Sequence, residues 1–328
     1  MIRHSSRFSL FVCLVLFVAL PALAAGDSRG PGDRDFGRDL FAEAAQAQAQ
    51  AAIGGERATD PTQIRSRLVN VNFAELARQE RAIALSPADR SDFFLNLFAD
   101  TSFTARLDRV ERNLEGSVTF LGALVDQADS SVILTVMDDV LIGSVTRGTD
   151  TYVIRYAGDG LHEIAQTDHR RFAECLYPEI ENPLPEEPSR PSVVGTESRP
   201  GEVASDADSG ATLDVMVVYT PTTRSAAGGT TAINATITQA VAETNTGYGN
   251  SQVNPRIRLV HTAEVSYSES GFNWTRTMTR LVKTNDGYID NVHTLRNTYQ
   301  ADMVVMIVEN GQYCGLANAI MATASGAF

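Results

Sequence analysis

The chain has 328 residues, with 27 Lys and Arg against 40 Asp and Glu, a formal net charge of −13 and a pI near 4.8. That balance excludes the electrostatic footprint of a nucleic-acid binder, and 43% hydrophobic residues exclude a wholly disordered chain. The length suits two folded units with connecting segments.

In chain order, "MIRHSSR" is a basic start, "FSLFVCLVLFVAL" an apolar stretch, and "PALAA" offers small residues at Ala22 and Ala24. Residues 1–24 therefore read as a signal peptide cleaved after Ala24, and the product as secreted or periplasmic. The apolar stretch is shorter than the roughly 20 residues that span a bilayer, so no stable membrane anchor is expected once the signal is removed. Cys13 leaves with it, and Cys175 and Cys314 remain.

Residues 25–61, with "GDSRGPGDRDFGRD" and "AEAAQAQAQAA", form a low-complexity lead-in with too few apolar residues to pack. From 62 to 176 the pattern is β-rich: "RLVNVNF", "DFFLNLF", "SVTFLGALV", "SVILTVM", "VLIGSVT", "TYVIRY" and "LHEIA" are separated by "MDDVL", "RGTD" and "AGDG", which place Asp and Gly where hairpins turn. One small antiparallel β domain is predicted. Residues 177–211 lose apolar spacing to prolines and acids and read as a solvated linker open to proteolysis.

From 212 to 328 the rhythm changes. "LDVMVVYT" is a run suited to a strand buried on both faces. A helix follows, with Ile233, Ile237, Val241, Thr244 and Tyr248 on one side, and then the strand "RIRLVHTAEV". Trp274 to Tyr299 places Met278, Leu281, Val282, Ile289, Val292, Leu295 and Tyr299 on one helical face before a last buried run, "DMVVMIV". The predicted order is β-α-β-α-β, which right-handed crossovers turn into a mostly parallel sheet. The overall class is α+β.

The chemistry of this region is mostly a list of exclusions. The loop "YTPTTRSAAGGTT" holds neither G-x-G-x-x-G nor G-x-x-x-x-G-K-[ST], and Lys283 is the only lysine, so a P-loop is excluded and Gly228-Gly229 reads as a helix-entry turn. There is no G-x-S-x-G. Cys314 with His261 or His293 as base would make a thiol nucleophile, but neither pairing has a local signature. His162, His169, His261 and His293 form no H-E-x-x-H and no close ligand pair, so they read as ordinary surface or half-buried histidines. On residues alone the chain has no active site.

The order of elements nevertheless carries a resemblance. "LDVMVVYTP", "AINATITQAVAETNTGY", "RIRLVHTAEVSY" and above all "ADMVVMIVENGQYCGLANAI" resemble the N-terminal part of a reprolysin-like zincin (metzincin), of the type of the secreted bacterial peptidyl-Asp metalloendopeptidases. "DRVERNLEGSVTFLGALV" and "VLIGSVTRGTDTYVIRYAGDGLHEIAQTD" resemble the β-rich propeptide of such enzymes. The resemblance implies a secreted zinc metalloendopeptidase precursor, with a signal, a β-rich propeptide over 62–176, a maturation linker and an incomplete protease domain over 212–328. In the intact family member zinc-activated water hydrolyses protein or peptide substrates, with a preference for acidic residues at the cut.

The helix carrying H-E-x-x-H-x-x-G-x-x-H is expected after Phe328. The chain as given is therefore expected to bear no catalytic residue and no metal ligand, and to be inactive, with zinc belonging to the full-length family member. Gly315, Leu316 and Ala317 are expected in an edge strand, either one that binds substrate by strand addition or an ordinary one. Cys314 is implied either to pair with a cysteine beyond the end or to be a buried free thiol. Cys175 is either a latency switch filling the open zinc position or a plain surface or packing cysteine. The rival readings are a non-enzymatic exported binding module, a propeptide-type protease inhibitor, or an unrelated exported α/β protein.

Overall fold

The computed structural model describes residues 39–45, 60–85, 92–172, 210–310 and 315–317. The signal peptide with Cys13 and Ala24, Cys175, nearly all of the linker, and Cys314 lie outside the described residues. The fold is mixed helix and strand. Its larger part is a nine-stranded sheet in the order β1-β2-β9-β8-β7-β6-β5-β4-β3. These strands are β1 (Phe41–Glu43), β2 (Gln63–Val71), β3 (Asp92–Phe98), β4 (Thr101–Arg112), β5 (Val118–Leu124), β6 (Ser130–Met137), β7 (Val140–Arg147), β8 (Asp150–Gly158) and β9 (Leu161–Thr167).

All neighbouring strands of this sheet pair antiparallel. The hairpins turn at the Asp and Gly positions that the sequence marks: Asp138 (φ 49°), Gly148 (φ 56°), Asp159 (φ 52°) and Gly160 (φ 74°) take the left-handed backbone that these residues tolerate best. The sheet curls until β1 lies beside β3, where Asp39 bridges Phe94. Asn96 closes the remaining gap with its side chain: Phe41 N donates to Asn96 Oδ1 at 3.0 Å, and Asn96 Nδ2 donates to the Phe41 carbonyl at 2.5 Å. One amide thus supplies the donor and acceptor that a tenth strand would have offered, and the barrel is nearly closed.

Alternation fills the interior. Phe93, Leu95 and Leu97 of β3, Val132 and Leu134 of β6, Leu141 and Val145 of β7, and Tyr152 and Ile154 of β8 point inward and are buried. Leu40 and Phe41, at 0% and 1% exposure, complete this core, so the lead-in contributes packing that its composition did not promise. Closing a barrel rewards any apolar side chain that reaches its seam, however polar the neighbours in sequence.

Helix α1 (Phe73–Leu85) also interrupts the region read as strands. Glu75 N donates to Asn72 Oδ1, Leu76 enters the barrel core, and Phe73 and Ile83 pack against it. The N-x-x-E spacing of Asn72 and Glu75 is the capping signal that announces this helix.

The smaller part is a three-stranded sheet in the order β11-β10-β12, from β10 (Thr212–Tyr219), β11 (Arg256–Glu264) and β12 (Met303–Ile307). Both pairings are parallel. Between β10 and β11 run α2 (Pro221–Ala227) and α3 (Thr230–Asn250), and between β11 and β12 run α4 (Trp274–Val282) and α5 (Asn291–Tyr299). Gly228 (φ 94°) is the left-handed end of α2 and Gly229 precedes α3, so the Gly-Gly pair is an exit as well as an entry.

The single helix expected over Trp274–Tyr299 is in fact two. Asn285-Asp286-Gly287 turns the chain, Gly287 sits at φ 83°, and the Asp290 carboxylate accepts from Asp286 N and Gly287 N at 3.0 and 2.9 Å. A carboxylate that holds two backbone amides offers them more than another helical turn would. Val215, Val217 and Tyr219 pack under α3 with Ile233 and Ile237, while Met216 and Val218 face Leu281, Ile289 and Val292. β10 is thus buried on both faces, as its continuous apolar run requires.

Candidate functional site

In open α/β sheets ligands are met at the carboxyl ends of parallel strands, and here that end is tied together by one carboxylate. Thr220, buried just after β10, donates from its hydroxyl to Glu269 Oε1, and the Glu269 carboxylate accepts Glu309 N at 3.0 and 3.1 Å. Thr220 also caps α2 by accepting Thr223 N at 3.1 Å, and Thr223 Oγ1 donates to the Ile307 carbonyl at 3.2 Å. Trp274 Nε1 donates to Asn310 Oδ1 at 3.3 Å. The segment leaving β12 is therefore held from the loops after β10 and β11. Nothing in the sequence around Glu269 marks it for this role, because its partners are 40 or more residues away.

The second built surface lies between the barrel and α3. Helix α3 has two buried stripes. Ile233 and Ile237 face the parallel sheet, whereas Ala232 and Ala235 meet Met137, Val140 and Ile142 on the outer face of the barrel, with Tyr156 and Ala227 beside them. Alanines let the helix approach closely. The same stripe carries the buried Gln239.

Gln239 Oε1 accepts from Thr135 Oγ1 at 2.8 Å, and its Nε2 donates to the Ile133 carbonyl at 3.0 Å and to Glu243 Oε1 at 2.8 Å. Ser144 Oγ donates to the same Glu243 oxygen at 2.7 Å. Behind Thr135, Thr119 Oγ1 lies at 2.9 Å and accepts Asn113 Nδ2, also at 2.9 Å. The proton directions follow from chemistry. The Thr135 hydroxyl must donate to the amide oxygen, so Thr119 donates to Thr135 while accepting from Asn113. At the end of this contact Asn234 Nδ2 donates to Glu115 Oε2 at 2.7 Å, and Glu115, at φ 56° in the turn between β4 and β5, also reaches Thr262 Oγ1 of β11 at 3.4 Å.

The four described histidines are dispersed. His162 is buried in the barrel wall between Phe73 and Tyr156, where Leu141 N donates to its Nε2 at 2.9 Å. Burial pushes its pKa down to about 4; the nearby Gly160 carbonyl offsets this only in part, and Nδ1 makes no well-formed hydrogen bond. His169 stacks on Phe172 and contacts Thr151 Oγ1. His261 stacks face to face on Tyr299 with centroids 3.8 Å apart, and burial lowers its pKa against the opposing pull of Glu115. His293 Nε2 lies 3.0 Å from the Lys283 carbonyl.

Among the described residues no group of three or more His, Cys, Asp or Glu side chains is placed to hold a metal ion, so these residues do not fit zinc. Gly315, Leu316 and Ala317, expected as an edge strand, are described without strand pairing, and the residues on both sides of them lie outside the described residues. Among the described residues no helix is long and apolar enough to cross a membrane.

Residues 209–325 match the reprolysin-like model of metallo-peptidase family M12B. This region is reprolysin-like. The chain is 36% identical over 204 residues to the peptidyl-Asp metalloendopeptidase of Xanthomonas campestris pv. campestris, an alignment covering 61% of this chain and 46% of that protein. It is likewise 36% identical over 203 residues to the protein of the same name from Stenotrophomonas maltophilia strain R551-3, covering 62% and 46%. The chain spans about half the length of these curated relatives. Both alignments are longer than the reprolysin-like match, which itself stops just short of Phe328, so the similarity extends into the region before residue 209. A solved structure, metalloproteinase-II from Bacteroides fragilis, aligns over 58% of this chain and 57% of that one at 13% identity and a TM-score of 0.27, too low to carry an argument.

Proposed function

We propose that this chain is the precursor portion of an exported zinc metalloendopeptidase. In this reading residues 1–24 are the export signal, the barrel is the propeptide, the acidic segment 177–211 is where maturation cuts, and 212–328 is the first part of the protease domain. The observation that carries the reading is the 36% identity to peptidyl-Asp metalloendopeptidases, which continues upstream of the reprolysin-like region instead of ending at it. Substrates would be proteins or peptides cut beside acidic residues.

Zinc would be supplied with ligands and a water-activating glutamate that the described residues do not contain. What these residues do is structural. The Glu269 carboxylate fixes Glu309 at the exit of β12, and so fixes the direction in which the chain approaches any following element. The candidate for strand addition by substrate is the segment after β12 that holds Gly315, Leu316 and Ala317. Cys175 as latency switch and Cys314 as half of a disulfide belong to the same proposal.

The test is to read the coding DNA beyond the codon for Phe328. An in-frame H-E-x-x-H-x-x-G-x-x-H is the expected result, and a frame without it would overturn the protease reading. Purified residues 1–328 should show neither stoichiometric zinc binding nor chelator-sensitive proteolysis, and observing both would overturn the assignment of the metal site to a later segment.

A further inference from the structure

The barrel and the reprolysin-like region meet along a surface with its own recognition chemistry, and nothing in the proposed function explains its form. The contact falls on α3 and, through Glu115, on β11, which is the flank of the parallel sheet opposite β12. A strand added at β12 would lie away from it. Polar groups, buried at Thr119, Thr135 and Gln239, cross this surface in one connected, directional chain, Asn113 to Thr119 to Thr135 to Gln239, with the Gln239 amide then donating to Ile133 and Glu243.

Such a chain is satisfied in one docking register only. A shift of two residues along β6, to the next side chains on the same outer face, would offer Gln239 the apolar Ile133 or Met137 instead of the Thr135 hydroxyl. The alanine stripe around it supplies close contact but little direction.

We infer that the outer face of β5–β7 and the Ala232–Glu243 stripe of α3 form a specific docking interface, and that the barrel stays bound to the reprolysin-like region as a non-covalent complex after the connecting chain is cut, with Gln239 setting the register. The partner of the α3 face is thus this chain's own barrel. The inference rests on the precursor reading only for the statement that cutting occurs in nature; the interface itself does not depend on it. Among the described residues the barrel meets the reprolysin-like region on α3 and on its β11 flank, the side of the parallel sheet opposite β12.

The experiment uses the full chain with a sequence-specific protease site inserted between residues 190 and 195. After cutting, the two pieces should co-elute as a 1:1 complex in size-exclusion chromatography and native mass spectrometry. Separation of two folded pieces at micromolar concentration and neutral pH would overturn the inference. Gln239→Leu leaves the Thr135 hydroxyl, the Ile133 carbonyl and Glu243 without their partner, and should raise the dissociation constant of the cut complex by roughly tenfold or more.

Ile237→Val, on the sheet side of the same helix, should leave that constant within about twofold. If Gln239→Leu fails to fold, Thr135→Val makes the same break from the barrel side with little change of shape, and the same weakening is expected. An unchanged dissociation constant in either folded variant would show that the hydrogen-bond chain does not set the docking. These outcomes are separable from the fate of the protease reading: dissociation sinks the docking but not the enzyme class, and a reading frame without the zinc motif sinks the enzyme class but not the docking.

Discussion

The barrel and the three-stranded sheet solve the burial problem in opposite ways. Each barrel strand has one face turned to a shared interior, and the curl of nine strands supplies the cover, completed at its seam by the Asn96 amide. The parallel strands have no interior of their own. β10 is dry because α3 lies on one face while α4 and α5 lie on the other, and α3 is in turn dry because the barrel covers its second stripe. The barrel therefore needs little from the other region, whereas the parallel sheet borrows half of its cover from helices and one of those helices borrows cover from the barrel.

That asymmetry can be broken by experiment, and the largest effect should come from the barrel interior. Leu134 is fully buried, and Leu134→Ala should cost about 3–4 kcal/mol. Trp274 is the only tryptophan and sits on α4, so its fluorescence reports the reprolysin-like region alone. If that region depends on the barrel through α3, the urea midpoint from Trp274 fluorescence will fall together with the circular-dichroism midpoint. A fluorescence transition left in place would show that the two regions unfold independently.

Acid should act next, and on the barrel first. The folded pKa of His162 lies near 4, below the ordinary 6.5, so the unfolded chain takes up its proton earlier as pH falls. The stability contributed by the neutral ring is complete above about pH 6.5 and is lost as pH falls toward 4. The loss should reach about 2 kcal/mol by pH 5 and about 3 kcal/mol by pH 4. Urea unfolding across that window measures it, and His162→Gln, which keeps an acceptor for Leu141 N but cannot titrate, should show a much flatter profile.

A steric probe should give a smaller effect. A methyl at Gly122 would stand 2.1 Å from the Arg106 carbonyl oxygen of the neighbouring strand, beside the irregularity between Leu107 and Arg109, so Gly122→Ala should cost about 2 kcal/mol as β4 and β5 move apart. A thermal midpoint equal to that of the parent would show that the strands yield at no cost. Smallest of all should be Arg258→Met on the parallel sheet. The Arg258–Asp214 pair at 2.7 Å is largely open to solvent on the arginine side, and its loss should lower the urea midpoint only slightly at low salt and less at high salt.

How much of this was legible beforehand differs between the regions for a physical reason. The hairpins were readable because the turn residues and the strands they join are adjacent in sequence: Asp138, Gly148 and Asp159-Gly160 announce themselves. Helix α1 was equally local in its Asn72–Glu75 signal, yet the strand rhythm on either side concealed it. The break between α4 and α5 was written in Asn285-Asp286-Gly287 but outweighed by an apolar periodicity that happens to continue across the turn.

Other features could not have been read at all. Leu40 and Phe41 look like strays in a polar lead-in, and only the seam of a curled sheet makes them core. Gln239 looks like a solvent-facing residue on a helix whose apolar face had already been assigned, and only the approach of the barrel gives that helix a second buried stripe. Glu269 acquires its role from amides and hydroxyls that arrive from other strands.

By itself the sequence determined the strands, their turns, the change of rhythm after residue 211, and the likeness to peptidyl-Asp metalloendopeptidases. These rest on periodicity, turn chemistry and matched residues, each a property of neighbours along the chain. Only the tertiary structure decided the near closure of the barrel, the two-sided burial of α3 and the polar chain through Gln239. Each of these joins residues about a hundred or more positions apart or a pair of edges, and local sequence carries no record of which distant surface will come to cover it.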